Sequence, residues 1–265
     1  MKSQRDILVI DDEPVITRAV SRICAEEGLS VDAADSGEAA LDMLGVRSYR
    51  LILCDIMMTD PDGFGFLKEA TLRRHKTPIV MATGYATLEN AVRSLTEGAA
   101  DFIAKPFTAD ELLAVVRRTL RGRQLQNEAA AGGRRDSLAF VPCPPKYFRL
   151  GNVSWVKEER EGTALIGLND LFLKTIEGVS GFELSPVKDE TAQGAVCATV
   201  TSAAGDRHAV ACPVGGRIVE VNAAAKADPT AVEKDPYFEG WLYRVVPTDL
   251  QTDLKRLISC SSDRL

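Results

Sequence analysis

Leu51-Ile52-Leu53-Cys54 is an unbroken apolar run that ends on a carboxylate, Asp55. A run that is apolar at every position, rather than at alternate ones, marks a strand buried on both faces. Such strands belong to parallel sheets covered by helices, and these sheets place their ligands at the C-terminal strand ends. Asp55 is thereby placed at a sheet edge.

The rest of the first half repeats the pattern. Ile7-Leu8-Val9-Ile10 ends in Asp11-Asp12, and Ser30 to Ala34 is a weaker strand. Pro78-Ile79-Val80-Met81-Ala82 ends at Thr83-Gly84, and Asp101-Phe102-Ile103-Ala104 ends at Lys105-Pro106. Helices are expected between them. Pro14 suits a first turn, and Val15, Ile16, Ala19, Val20, Ile23 and Cys24 recur at helical spacing until Gly28. Ser36 caps a second helix, Phe64 to His75 forms a third, Leu88 to Glu97 a fourth stopped by Gly98, and Thr108 to about Arg121 a fifth. The loop Met57 to Gly63 is rich in turn residues. Five strands alternating with five helices give an α/β doubly wound, five-stranded parallel sheet.

Parallel strands share one C-terminal edge. Asp11, Asp12, Asp55, Thr83 and Lys105 therefore converge on one shallow pocket. Clustered carboxylates resist ionising together, and a divalent cation relieves the repulsion. An all-oxygen set with one or two direct carboxylates suits Mg²⁺, which takes further oxygens from water and phosphate. With Lys105 it would neutralise a phosphoryl group in transfer while Asp55 attacks phosphorus. Thr83 would donate its hydroxyl to a phosphoryl oxygen, and Gly84 leaves the backbone room to approach.

The combination Asp11-Asp12, Asp55, Thr83-Gly84-Tyr85 and Lys105-Pro106-Phe107 resembles the receiver domain of two-component response regulators, over residues 5 to about 121. The resemblance implies a flavodoxin-like fold with strand order 2-1-3-4-5. It implies that Asp55 accepts phosphate from a histidine kinase or phosphotransfer protein. Asp12, Asp55 and the backbone carbonyl of Met57 would hold Mg²⁺, with Asp11 acting through water. Lys105-Pro106 would be a cis peptide, and Thr83 and Phe102 a switch pair. A homodimer through the receiver is a further partner the resemblance allows. Met57 and Tyr85 flank the expected path of hydrolytic water, and neither is a strong base. Self-phosphorylation with slow self-dephosphorylation is then the only catalysis expected, so the protein is not read as an enzyme.

Residues 122–145 read as a linker: Gln124 to Ala131 could extend the last helix, Gly132-Gly133 would stop it, and Val141-Pro142-Cys143-Pro144-Pro145 is stiff and extended. A solvated spacer and a lever that transmits the switch are both open readings. Beyond it helical periodicity fades. Short strands are expected at 153–156, 164–168, 181–184, 194–200, 209–212, 217–221 and 241–246, with a helical turn or two over 169–175. A closing helix runs from Asp249 to about Ser259. Even spacing with Gly turns indicates a small β barrel or sandwich.

Trp155-Val156, Ile166-Gly167, Pro213-Val214, Gly216, Val219-Glu220-Val221-Asn222, Asp228-Pro229, Asp235-Pro236-Tyr237 and Glu239-Gly240-Trp241-Leu242 resemble the H protein of the glycine cleavage system. That implies a lipoyl-carrier-like barrel-sandwich hybrid over 146–265. The family carries lipoate on a lysine at a hairpin tip. Counting back from Pro213-Val214 puts that position at Gly205, and no lysine lies between Lys188 and Lys226. No lipoate is expected. His208 nearby reads as a solvated histidine, Trp155, Trp241 and Tyr237 as core or rim aromatics, and Glu158 to Glu161 as a solvated charge run.

Charge excludes one function class. Residues 1–121 carry a net −4, 122–145 a net +1 and 146–265 a net −3. Neither half has the basic excess or the consecutive helices of a nucleic-acid binder. The six cysteines contain no CxxC pair, which fits a reduced, cytoplasmic setting without a disulfide frame or zinc site. No signal peptide or membrane span is expected. The sequence therefore reads as a cytoplasmic response regulator whose receiver (1–121) is joined to an H protein-like output domain that binds an unidentified protein. The alternative is a receiver-controlled carrier or enzyme-complex subunit of lipoyl or one-carbon metabolism.

Overall fold

The computed structural model describes residues 3–59, 61–84, 87–131 and 139–261. Tyr85, Gly132-Gly133 and the polar stretch 134–137 lie outside them. The chain divides into two compact units, residues 1–90 with 97–120, and residues 91–96 with 121–265. Among the described residues no helix is long and apolar enough to cross a membrane.

Strand and helix alternate in the expected order through the N-terminal half: β1 (Ser3–Ile10), α1 (Pro14–Glu26), β2 (Val31–Ala34), α2 (Gly37–Val46), β3 (Arg47–Asp55), α3 (Gly63–Leu72), β4 (Ile79–Thr83), α4 (Leu88–Thr96), β5 (Asp101–Ala104) and α5 (Ala109–Ala131). The strands form one parallel sheet in the order β2-β1-β3-β4-β5. The apolar runs explain why. Alternate residues of the central strands feed two separate cores. Leu8, Ile10, Ile52, Cys54 and Met81 pack with Ala40, Leu44, Phe66 and Leu67 of α2 and α3. Ile7, Val9, Leu51, Leu53, Val80 and Ile103 pack with Val20, Cys24, Leu112 and Val116 of α1 and α5. Caps fall where the polar residues stand. Ser36 Oγ accepts from Ala39 N–H at 3.3 Å, and Asp62 Oδ1 from Gly65 N–H at 2.7 Å. α5 runs on to Ala131, so the first part of the expected linker is helix.

The second unit holds β6 (Phe148–Leu150), β7 (Ser154–Glu158), β8 (Ala164–Leu168), α6 (Asp170–Thr175), β9 (Val179–Leu184), β10 (Glu190–Thr191), β11 (Val196–Ser202), β12 (Arg207–Ala211), β13 (Gly216–Val221), α7 (Ala223–Ala227), α8 (Thr230–Lys234), β14 (Trp241–Pro247), α9 (Leu250–Lys255) and β15 (Ile258–Ser259). They form a seven-stranded sheet, β10-β13-β14-β8-β7-β6-β15, and a three-stranded sheet, β12-β11-β9. The larger core draws on both sheets: Val156, Ile166, Leu168, Val200, Val210, Ile218, Leu242 and Tyr243, closed by Phe172 and Leu173 of α6. This is the barrel-sandwich arrangement expected. The C-terminal helix is present but short. It stops at Lys255, and the chain then pairs Ile258 and Ser259 with Arg149 and Phe148 of β6. Strand pairing there satisfies the backbone while Cys260 is buried.

Candidate functional site

The sheet register brings the singled-out residues of the first unit together. Ile10 pairs with Cys54, Asp55 with Ala82, and Thr83 with Ala104, so Asp11, Asp55, Thr83 and Lys105 all lie at the same edge. Ligand oxygens of Asp11, Asp12 and Asp55 lie within 4.8 Å of one another. Lys105 Nζ donates to Asp11 Oδ2 at 2.6 Å and stands 3.1 Å from Asp55 Oδ1 and 3.9 Å from Glu13 Oε1. Asp11, Asp55 and Thr83 are buried, whereas Asp12 is exposed. The Lys105-Pro106 peptide is cis. Phe102 is half-buried and packs on the α2 and α3 side of the sheet, the face its register partner Met81 shares.

Electrostatics follow from this packing. Burial pushes the Asp11 carboxyl above its usual range, only partly offset by Lys105. Burial opposes the charge on Lys105, but Asp11 and Asp55 outweigh it and hold the ammonium above its ordinary value. Asp55 Oδ1 is buried and, despite the nearby ammonium, has no aligned hydrogen-bond donor among the described residues. A buried carboxylate oxygen with a free lone pair, in an all-oxygen cluster with one exposed member, fits a hard divalent cation.

Sequence reading missed one residue that shapes the site. Gly63 opens α3, and its N–H donates to the Ile56 carbonyl at 3.1 Å. A Cβ at Gly63 would lie 2.2 Å from the Asp55 carbonyl oxygen and 2.7 Å from Ile56 Cα. Only glycine lets α3 start this close to the strand end. The Asp62-Gly63 pair read as turn punctuation; nothing in it announced contact with Asp55.

In the second unit β11 and β12 form a hairpin that pairs Val200 with His208 and Thr201 with Arg207. Its turn is closed by Ser202 N–H on Asp206 O at 2.9 Å and Gly205 N–H on Ser202 O at 3.0 Å, with Gly205 at φ +93°. The turn carries no lysine. His208 is not solvated as its sequence position suggested: it is 3% exposed and meets the Phe172 ring edge-on at 6.3 Å. The period-two alternation of β12 puts His208 and Val210 inward and Arg207 and Ala209 outward. Arg207 instead forms a bidentate pair with Glu183, at 2.5 and 2.7 Å. Trp155 and Tyr237 are buried together with Tyr147, with Trp241 packed at their margin.

A 2-1-3-4-5 parallel sheet whose edge gathers two adjacent acids, a third acid, a threonine and a lysine before a cis proline defines a receiver domain. The two-sheet unit that follows has the H protein-like form. Comparison with known families agrees: residues 7–117 match the response regulator receiver domain, and residues 146–263 match the glycine cleavage H-protein. The chain thus joins a response regulator receiver domain to an H protein-like domain.

Among curated relatives, the regulatory protein AtoC of Escherichia coli is 36% identical over 122 residues, 46% of this chain and 26% of that protein. The nitrogen assimilation regulatory protein NtrX of Azorhizobium caulinodans is 37% identical over 125 residues, 46% of this chain and 28% of that one. The chain spans about a quarter to a half of the length of the curated relatives it matches. Solved structures similar to each half include the receiver domain of NtrX from Brucella abortus (38% identity, 43% of this chain, 98% of that chain, TM-score 0.42) and a glycine cleavage system H protein from Mycobacterium marinum (27% identity, 45% of this chain, 94% of that chain, TM-score 0.40).

Proposed function

We propose that the protein is a two-component response regulator phosphorylated on Asp55, with a non-lipoylated H protein-like output domain that binds protein. The observation that carries the first part is the strand-end cluster: three carboxylates, a buried threonine and a lysine ion-paired to two of the acids, with Asp55 Oδ1 buried beside that lysine.

Asp55 would attack the phosphorus of a phosphohistidine on a histidine kinase or phosphotransfer protein, forming the O–P bond as the P–N bond breaks. Mg²⁺, held by Asp11, Asp12, Asp55 and the backbone carbonyl of Met57, would supply positive charge to the phosphoryl oxygens. Lys105, freed from part of its pairing with Asp55, would add an ammonium to the same oxygens. The Thr83 hydroxyl would donate to one of them, and Phe102 on the neighbouring strand would turn inward as Thr83 moves. That pair is the two-state element, and the surface it changes would alter what the second domain meets. Met57 is 55% exposed and offers no base beside the acyl phosphate, which supports slow self-dephosphorylation. A phospho-form half-life of seconds at neutral pH would contradict it.

For the second domain, the hairpin turn Ala203-Ala204-Gly205-Asp206 supports the loss of the carrier role. A lipoyl amide needs a primary amine, and this turn has none. Intact-mass measurement tests both parts at once. Protein made in lipoylation-competent cells is expected to carry no lipoyl increment. Exposure to acetyl phosphate and Mg²⁺ should add one phosphoryl group to wild type and none to Asp55→Asn. A lipoyl increment would restore the carrier reading, and equal phosphorylation of Asp55→Asn would remove Asp55 from its role.

A further inference from the structure

Ahead of β6, the chain of the second unit is held by a backbone clasp. Val141 N–H donates to Asp170 Oδ2 at 2.6 Å, and Tyr237 Oη donates to Val141 O at 2.9 Å. The same Tyr237 oxygen accepts from Asp170 N–H at 3.1 Å, which closes a ring of three residues. Asp170 is 2% and Tyr237 4% exposed, whereas the Val141 side chain is 53% exposed. Apolar burial therefore does not hold Val141; two hydrogen bonds to its peptide groups do. Behind it the strap stays docked. Cys143 and Tyr147 are buried, Tyr147 Oη donates to Tyr237 O at 2.9 Å, and the Tyr147 ring lies 5.0 Å from Trp155. Trp155 Nε1 fixes both arms of the clasp by donating to Leu168 O at 2.9 Å and Pro236 O at 3.1 Å.

Asp170 is also the first residue of α6, and Asn169 before it makes no side-chain cap. Two residues on, Phe172 meets His208, which is buried three positions past Gly205 at the hairpin turn. One carboxylate thus touches the strap at one side and begins the short helix that backs the hairpin at the other.

We propose that residues 139–147 are a docked strap rather than a free spacer, and that the Asp170–Tyr237 clasp on Val141 sets the conformation of the β11–β12 hairpin through α6. Release of Val141 leaves a buried carboxylate without its donor, and α6 moves to rehydrate it. The Phe172–His208 contact carries that movement to the turn. The connector then delivers a displacement to the end of the domain where the related carrier family works. This device goes beyond the phosphoacceptor reading and does not depend on it.

The test is hydrogen exchange on the full, unphosphorylated chain, comparing wild type with Tyr237→Phe and Asp170→Asn. Tyr237→Phe should speed exchange about tenfold in peptides covering 139–147 and again in the hairpin peptide 200–208, the scale of one lost hydrogen bond. Exchange in β13 should not change. Asp170→Asn, which keeps an acceptor but removes its charge, should move the same two peptides by less. Hairpin rates that stay at wild-type values while the strap loosens would overturn the link, as would acceleration that extends equally to β13. A strap peptide that exchanges freely in wild type would overturn the clasp itself.

Discussion

At the scale of single residues, the site is held by close approach as much as by charge. Gly63 has no side chain because the Asp55 carbonyl occupies the place of a Cβ. Gly63→Ala forces the α3 start away from the strand end, an overpacking cost of about 1–3 kcal/mol. Urea unfolding should show that loss, and phosphoryl uptake from acetyl phosphate should fall more steeply than for an alanine placed at solvent-facing Gly45. Asp32 offers a pH handle remote from the site. Burial raises its carboxyl, but Arg47, Tyr49 and Arg5 outweigh that and leave it below the usual range. A folded value below the unfolded one adds stability that is complete above about pH 4 and disappears as pH falls through the folded value. Both arginines are more than 40% exposed, so solvent screening limits the effect to about 1 kcal/mol or less. Asp32→Asn should lower the midpoint slightly at pH 7 and by less as the pH falls below about 4; a uniform shift across the range would contradict the sign. The strand-end residues of the candidate site were legible because each follows its own apolar run. Gly63 was not, because its role is set by a neighbour reached only through the fold.

Among elements, β5 and α5 depend on one buried ion pair. Arg118 of α5 reaches Asp101 of β5, with Nη2–Oδ1 at 2.9 Å, and the same carboxylate accepts from Phe102 N–H at 2.8 Å. Both residues are under 10% exposed. Asp101→Ala removes the carboxylate that pairs with a buried guanidinium, and a loss of about 3–5 kcal/mol in thermal or urea unfolding is expected. A loss under about 1 kcal/mol would show the pair to be dispensable. The five strands and five helices of the first unit were readable because apolar runs and helical spacing alternate over long windows. The second unit was readable only in part. β10 and β15 are two residues each, and α7 and α8 five, so none is long enough for its pattern to repeat. His208 was misplaced for a related reason. A histidine near a turn reads as solvated, and the strand alternation that turns it inward counts for little over five residues.

For the whole molecule, the two units are built on opposite principles. One is a parallel sheet whose polar groups collect at a single edge; the other is a pair of antiparallel sheets that share their main core. Residues 1–121 carry a net −4 and residues 146–265 a net −3, so neither stretch has the basic excess of a nucleic-acid binder. Metal removal should separate the site's chemistry from its stability. In excess EDTA the receiver should unfold at nearly the same urea concentration, because Lys105 already offsets Asp11 and Asp55, while phosphoryl uptake should cease. Unchanged uptake in EDTA would contradict the assigned use of the carboxylates.

The most direct measurement is where the phosphoryl group sits. Borohydride reduces an aspartyl phosphate to homoserine, so the modified position can be sequenced by mass spectrometry. After acetyl phosphate and Mg²⁺, homoserine should appear at position 55 and be absent when Mg²⁺ is withheld. Homoserine at any other aspartate, or none in a protein that has taken up phosphate, would contradict the account.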